Sequence, residues 1–379
     1  MEKGREAMIK TALIAVDGFE CFDYGPTHPL RMYRLKLTWA LMEAYRLTGL
    51  PNMTVIKPRP ATEKEVLSFH RPEYVEALKR ANSGLWFDEA YRYGLGGGDC
   101  PIFKGLYEGS LLGCGGSVVV AEKLISGAAH ITFNIAGGLH HAMPNYASGF
   151  CYLNDPVVAI NKLLEHFSKV AYVDIDAHHG DGVQFAYYRS NRVLTISIHE
   201  SPLHLFPGRS GFIEELGEDE GYGYSVNLPL LPYAGDDVFL KAFDEVVIPL
   251  LHAYNPDVLV TQLGVDTFQT DPLTHMELTT NAFCHAIRAF KALGKPWLAL
   301  GGGGYDVANV CRGWTLAWAI MNGVELPDEV PQEWNEQASA YNVRLSKLRD
   351  GSSYPSSKSA LQDVEKVISY LKETLPYTS

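Results

Sequence analysis

Val170-Ala171-Tyr172-Val173-Asp174-Ile175-Asp176-Ala177-His178-His179-Gly180-Asp181-Gly182 begins as an apolar run and ends with three aspartates and two histidines inside eight positions. Alternate side chains of a strand share a face, so Asp174, Asp176 and, where the extended geometry persists, His178 point the same way. Carboxylates this close either gain a counter-cation or take up protons, because burying them unpaired costs several kcal/mol. A metal ion answers that need. The plainer reading is a solvated acidic turn after a strand; two adjacent histidines and two glycines in the same stretch favour the metal.

Outward from this segment, apolar runs alternate with helical patterns. Strands are expected at 11–16, 53–56, 130–135, 169–175, 192–198, 223–230, 257–263 and 296–301. Helices are expected near 30–49, 62–80, 105–126, 155–167, 236–253, 278–293 and 306–322. The alternation predicts an α/β protein with a mostly parallel sheet and helices on both faces. The rhythm breaks after about residue 325 at Pro327, Pro331 and Arg349-Asp350-Gly351-Ser352-Ser353, followed by an amphipathic helix near 359–374. One domain over 1–325 with an extension over 326–379 packed on its outside is the expected organisation. Loops 82–104 and 199–222 exceed the usual strand–helix connection, a property of functional loops.

Of 379 residues, 46% are apolar and 20% charged, the balance of a water-soluble protein with a sizeable core. No apolar run reaches the roughly 18–20 residues of a membrane span, and the short run Thr11 to Val16 reads as a first strand, not a leader. A net charge of −12 argues against direct nucleic-acid binding and fits a cationic or small substrate. Six scattered cysteines without a CxxC predict free thiols in a reducing cytoplasm.

Ligands of open parallel sheets bind beyond the carboxyl ends of the strands. There the chain offers Gly137-Gly138-Leu139-His140-His141, the opening stretch, His199 with Phe206-Pro207-Gly208 beyond it, Gly264-Val265-Asp266, and Gly301-Gly302-Gly303-Gly304-Tyr305. Each has a plainer account alone: a satisfied histidine pair, a helix cap at Asp266, a packing tyrosine. The glycine run lacks GxGxxG spacing and a following Lys-Ser/Thr, which weighs against a phosphate cradle. Together the clusters point to a metal-dependent hydrolase.

Ala136-Gly137-Gly138-Leu139-His140-His141-Ala142, Ser148-Gly149-Phe150-Cys151-Tyr152-Leu153-Asn154-Asp155, Val173 through Val183 and Leu300-Gly301-Gly302-Gly303-Gly304-Tyr305 resemble the zinc-dependent histone deacetylase family, over about Asp23 to Asn322. Its bacterial acetoin utilisation proteins look especially close. The resemblance implies the arginase–deacetylase fold, a single domain around a mostly parallel eight-stranded sheet. It assigns Asp176, His178 and Asp266 to zinc, with Fe(II) also acceptable to such a donor set. His140 and His141 match paired catalytic histidines backed by Asp174 and Asp181, and Tyr305 matches the hydrogen-bond donor to the developing oxyanion. Gly149, Phe150, Phe206 and Leu273 match the walls of a narrow channel, Asp99 a rim aspartate, and Arg34 an arginine near an acetate-release cavity. Structural potassium is implied at Asp174, Asp176, His178, Ser197 and Ile198, and at a second site by Tyr187, Val193 and Tyr224. His179 and His199 match no ligand and are read as structural. Met32 stands where proline is common, and the lack of a long tail suggests a prokaryotic, general-purpose member.

The implied activity is removal of acetyl from Nε-acetyl-lysine of proteins. A small acetylated amine, as for the acetylpolyamine amidohydrolases, is the nearest rival, and Asp88, Glu89 and Asp99 in the 82–104 loop speak for it. A binuclear manganese ureohydrolase needs a further carboxylate two residues after Asp266, where Phe268 stands. A non-catalytic acetyl-lysine module predicts loss of a ligand, a histidine or the tyrosine, and none is lost.

Overall fold

Short apolar strands joined by helical crossovers pair in parallel, because each helix carries the chain back over the sheet before the next strand starts. The computed structural model describes residues 9–19, 22–353 and 355–375; Cys21 lies outside them. The strands are β1 (Thr11–Ile14), β2 (Met53–Ile56), β3 (Ile131–Asn134), β4 (Val170–Asp174), β5 (Val193–Glu200), β6 (Ser225–Leu230), β7 (Val258–Gln262) and β8 (Trp297–Leu300). The helices are α1 (Tyr33–Ala44), α2 (Glu63–Val66), α3 (Pro72–Ala81), α4 (Leu106–Ile125), α5 (Asp155–Leu164), α6 (Asp181–Tyr187), α7 (Asp236–Ala242), α8 (Ile248–Tyr254), α9 (Thr280–Ala292), α10 (Val307–Asn322), α11 (Gln332–Ser339) and α12 (Lys358–Thr374). All eight expected strands are present.

The sheet order is β2-β1-β3-β8-β7-β4-β5-β6, and every neighbouring pair is parallel. The expected mostly parallel sheet is therefore wholly parallel. Both faces are covered, which is why the strands read as unbroken apolar runs. On one face Val170 and Tyr172 of β4 join Val258, Val260 and Leu298 under α4 and α5. On the other, Ala171, Val173, Leu259 and Trp297 pack beneath α9 and α10, with Trp314 and Trp318 buried.

Three departures from the expected elements have local causes. The helix expected at 62–80 is two helices. Thr62 and Glu65 form a reciprocal capping box on α2, and Pro72 forces Arg71 into extended backbone (ψ 142°) before α3 starts. α6 follows the acidic motif directly. α7 and α8 are joined through a wide turn at Phe243–Val247.

Beyond 325, Trp334 of α11 is fully buried and its indole N–H donates to the Leu37 carbonyl at 2.8 Å. Val364, Ile368 and Leu371 of α12 are also buried in the main core. No helix of the described residues is long and apolar enough to cross a membrane.

Candidate active site

β3, β8, β7 and β4 are consecutive in the sheet, so the loops leaving their carboxyl ends meet at one point. These are the loops that carry His140–His141, Gly301–Tyr305, Asp266 and Asp174–Asp181. Residues far apart in the chain meet there because of strand order, not chain spacing.

At the end of β4, Asp174 shares a strand face with Tyr172, whose hydroxyl donates to Asp174 Oδ2 at 2.6 Å. The same oxygen accepts from His140 Nδ1 at 2.7 Å, while Oδ1 accepts the Asp176 N–H at 3.1 Å. Asp176 and His178 turn the other way, toward Asp266. His178 Nδ1 lies 3.1 Å from Asp176 Oδ1 and 2.9 Å from Asp266 Oδ2. One ligand atom from each of the three falls within 4.8 Å of the others, and all three residues are buried. Asp176 Oδ2 is further held by the Gln262 side-chain amide at 2.6 Å and the Gly303 N–H at 2.8 Å; Asp266 Oδ1 accepts the Ala177 N–H at 2.9 Å.

The electrostatics of this cluster test whether it suits a metal. Burial, and then the negative charge of Asp176, push Asp266 up to about 7. Burial alone would lower His178, but the two carboxylates outweigh it and raise its imidazole well above its usual value. A buried pair of carboxylates facing one imidazole nitrogen needs one central positive charge. Two oxygens and a nitrogen with room for further ligands fit zinc, and Fe(II) as well.

His140 and His141 are each backed by their own carboxylate. His141 Nδ1 donates to Asp181 Oδ1 at 2.7 Å, matching His140 on Asp174. Their Nε2 atoms face each other at 3.0 Å. Burial drives both pKa values down, but Asp174, Asp176 and Asp181 reverse this for His140 and lift it to about 9. For His141, burial and then the adjacent His140 charge prevail over Asp181, leaving it at about 4. The two rings are thus pushed in opposite directions, His140 toward the charged form and His141 toward the neutral one. The His140 Nε2–H then donates to the Nε2 lone pair of His141.

Asp155 anchors the turn that presents the pair. Its carboxylate accepts the N–H groups of Gly138 (3.0 Å) and Leu139 (2.8 Å) and the Ser117 hydroxyl (2.5 Å). Asn154 holds the carbonyls of His140 and Ala142, both at 3.0 Å.

Tyr305 is half-buried, with its ring centroid 6.4 Å from that of His178 and 5.6 Å from that of Phe150. Burial, together with Asp266 and Asp176, raises its phenol well above the usual value, so it stays protonated and can donate. The backbone before it approaches the carboxylates closely: a Cβ on Gly303 would overlap Asp266 Oδ2 and crowd Asp176 Oδ2.

Phe150 adopts a left-handed backbone (φ 68°), unusual for a bulky side chain, and is held there by the Tyr24 hydroxyl on its carbonyl at 2.6 Å. The Phe206 ring lies 5.0 Å from His141, and Gly149 (φ 50°) sits between them, where a Cβ would strike both rings. His140, His141, Gly149, Phe150, Asp176 and Tyr305 line a cavity of about 20 Å³, room enough to admit a water. A second cavity of about 10 Å³ shares Leu30, Arg34 and Leu139 with it. Arg34 is buried at this junction. Its guanidinium donates to the Gly304 carbonyl at 2.9 Å and stacks on Trp314, while its Nε has no hydrogen-bond partner among the described residues.

The remaining expected positions are less central. The Asp99 side chain is exposed, and its carbonyl lies 3.2 Å from His28 Nε2. Leu273 is half-buried, with its N–H on Asp271 at 3.0 Å. Ser197 and Ile198 are buried on β5, with Ser197 paired in register to Asp174, and the Ser197 hydroxyl is 2.8 Å from His199. Tyr187 and Val193 are also buried; the Tyr224 carbonyl accepts the Thr195 N–H at 2.9 Å. His179 and His199 pack 4.8 Å apart and are bonded to Ser210, Gln184, Ser197 and the Gly211 carbonyl, which is a structural role.

Gln262, Asp155 and Asp271 escaped the reading of the sequence. Asp155 stands in a segment already noted, Asn154-Asp155, but nothing in its spacing marks a residue that collects backbone N–H groups.

A histone deacetylase domain model matches residues 28–321. The chain is 38% identical over 336 residues to the acetoin utilization protein AcuC of Bacillus subtilis, covering 86% of each. It is 40% identical over 312 residues to histone deacetylase 9 of Arabidopsis thaliana, covering 82% of this chain and 72% of that one. Among solved structures it resembles an HDAC homolog from Aquifex aeolicus (TM-score 0.88, 33% identity, 96% of this chain and 100% of that one). It equally resembles an HDAC homolog complexed with SAHA (TM-score 0.88, 32% identity, 97% and 100%).

Proposed function

We propose that this chain, which belongs to the histone deacetylase family, is a metal-dependent hydrolase that removes acetyl or another short acyl group from Nε-acyl-lysine of proteins. The observation that carries the reading is the facing His140–His141 pair, each ring backed by its own carboxylate, beside the buried Asp176–His178–Asp266 cluster. Asp176, His178 and Asp266 would hold the ion, and a bound zinc or ferrous ion supplies Lewis acidity toward the amide carbonyl and toward water.

The protein's own groups then do the following. His141, neutral and aligned by Asp181, takes a proton from the attacking water. As the carbon–oxygen bond forms and the carbonyl oxygen gains charge, Tyr305 donates a hydrogen bond to it. The carbon–nitrogen bond breaks as His140, protonated beforehand, gives its proton to the leaving amine. Acetate and free lysine result, and the proton on His141 passes to His140 across the 3.0 Å Nε2–Nε2 contact, restoring both rings. The aromatic faces of Phe150 and Phe206 suit a slim alkyl chain, and Arg34, buried beside the inner cavity, suits the departing carboxylate.

Structural potassium at Asp174, Asp176, His178, Ser197 and Ile198, and at Tyr187, Val193 and Tyr224, completes the reading of the shell. Residues 1–325 carry every reacting group, and 326–379 act as a brace through Trp334. Five buried free cysteines suit a reducing cytoplasm.

The exposed Asp88, Glu89 and Asp99 favour a second reading, an acetylpolyamine amidohydrolase. Turnover of acyl-lysine peptides beside acetylated putrescine and spermidine, with metal analysis of the purified protein, decides between them. Faster peptide turnover is expected; a peptide rate far below the polyamine rate overturns the choice of substrate.

A further inference from the structure

The backbone leading into Tyr305 is held by main-chain groups only: the Gly301 N–H on the Asn134 carbonyl at 2.9 Å, the Gly303 N–H on Asp176 Oδ2 at 2.8 Å and the Gly304 carbonyl accepting from Arg34 at 2.9 Å. Gly301 to Gly304 offer no side chains for packing, and Gly302 and Gly304 have φ of 135° and 141°. A phenol that must meet a developing oxyanion needs its position set to a fraction of an ångström, and a contact at the Tyr305 backbone itself acts nearer to it than those of the glycine run. Asp271 is placed to do so. It is buried, and its Oδ2 accepts the Tyr305 N–H at 2.7 Å and the Asp306 N–H at 3.3 Å. Its Oδ1 accepts the Leu273 N–H at 3.0 Å. One carboxylate thus ties the tyrosine loop after β8 to the segment after β7, five residues beyond Asp266. Asp306, held by the same oxygen, caps α10 through the Ala308 N–H at 3.0 Å, so the tyrosine is clamped between a fixed carboxylate and a fixed helix start.

We propose that Asp271 is a positioning residue for the hydrolysis, fixing the Tyr305 hydroxyl where it meets the carbonyl oxygen and linking that position to the Leu273 segment. This rests on the reading of Tyr305 as the oxyanion donor. Its influence on the reaction runs through Tyr305, which separates it from an acceptor that merely keeps the loop folded. A structural acceptor lowers activity in any background. A positioning residue loses its influence once the hydroxyl it positions is gone.

The test is a double-mutant cycle with the full-length metal-loaded protein: parent, Asp271→Ala, Tyr305→Phe and the double variant, assayed on an acetyl-lysine peptide. Asp271→Ala is expected to lower kcat about 10–100-fold with a smaller change in KM, in line with the cost of misplacing a reacting group by about 1 Å. Added to Tyr305→Phe, it is expected to lower kcat by less than about threefold. A trifluoroacetyl-lysine peptide, whose oxyanion needs less support, should show a clearly smaller loss with Asp271→Ala than the acetyl peptide. Full multiplication of the two losses, or equal losses on both peptides, overturns the proposal while leaving Tyr305 as the donor. A parental kcat for Tyr305→Phe instead overturns the reading of Tyr305, and the role of Asp271 falls with it. If Asp271→Ala does not fold, Asp271→Asn, which keeps the volume and one acceptor oxygen, enters the same cycle with the same criteria.

Discussion

Replacing Asp174 with Asn should move the alkaline limb of the rate profile, and the displacement follows from the structure. Asp174 presents both oxygens to donors: Oδ2 to His140 Nδ1 and the Tyr172 hydroxyl, Oδ1 to the Asp176 N–H. Its charge, with those of Asp176 and Asp181, holds His140 at about 9 against the opposing effect of burial. An opposite charge at such range is worth about 1–3 pKa units. Taking about two, His140 in the variant falls to about 7. The proposed step needs the protonated ring, so activity is lost as pH rises through this value. At pH 8 the protonated fraction drops from about nine-tenths to about one-tenth, a tenfold loss, while at pH 6 both proteins keep about nine-tenths or more. A bound dication pulls both limbs toward lower pH, so the measurement is the displacement between parent and variant, not the absolute position. The assay is kcat/KM on an acetyl-lysine peptide from pH 5 to 10, with metal content checked at each end. An alkaline limb that stays in place while the whole profile drops would refute the assignment of His140 as the acid. The loss would then come from orientation of the ring.

Three further outcomes follow from the same geometry. Gly303→Ala should weaken metal retention by about 10–100-fold, because its Cβ overlaps Asp266 Oδ2 and crowds Asp176 Oδ2; metal-to-protein ratios after dialysis check this, and parental retention would count against the ligand set. Stripping the metal with a chelator should abolish turnover and lower Tm, more at pH 8 than at pH 6. Without the ion, Asp266 sits at about 7, above its unfolded value, so the folded state binds the extra proton and its stability falls as pH rises through 7. Scanning calorimetry of loaded and stripped protein at both pH values tests the sign, and an equal gap at the two would refute it. Trp334→Ala should cost about 3–5 kcal/mol of stability, since a fully buried indole and its bond to the Leu37 carbonyl are lost. Its kcat at a temperature where the protein remains folded should stay near parental, and a large fall would mean that the C-terminal extension does more than brace.

The strands were legible because a sheet covered on both faces needs apolar residues at every position. Val170 to Val173 and Val258 to Val260 are such runs. α6 was not legible, because its first residue, Asp181, already serves as a carboxylate behind His141, and seven residues after a glycine carry too little periodicity. α11 hid for a related reason: only Trp334 and Ala338 of its eight residues are buried, so its apolar stripe is one turn long. At the site, the groups that react stand at strand ends and declare themselves as His, Asp and Tyr after glycine turns. Asp155 and Asp271 do not, since a carboxylate that collects N–H groups from a distant loop has no spacing of its own.

The acidic stretch after β4 shows why charge density alone misleads about role. Asp174 and Asp176 are two residues apart, and an ideal strand would aim them alike. The strand ends at Asp174, however, and the turn from Ile175 sends Asp176 toward β7 and Asp174 toward the β3 loop. The sheet order then decides their partners. β7 lies beside β4 with Gln262 in register with Asp174, which carries Asp266 to within reach of His178 from about ninety residues away. The four carboxylates Asp174, Asp176, Asp181 and Asp266 are thereby sorted into two that raise or steady an imidazole and two that converge on one point. Asp174 faces the ring that is pushed toward charge, Asp181 aligns the ring that is pushed toward neutrality, and Asp176 and Asp266 face the place for a cation. A crowded acidic segment is tolerable in the core with this sorting, and the sorting pushes His140 toward its charged form and His141 toward its neutral one.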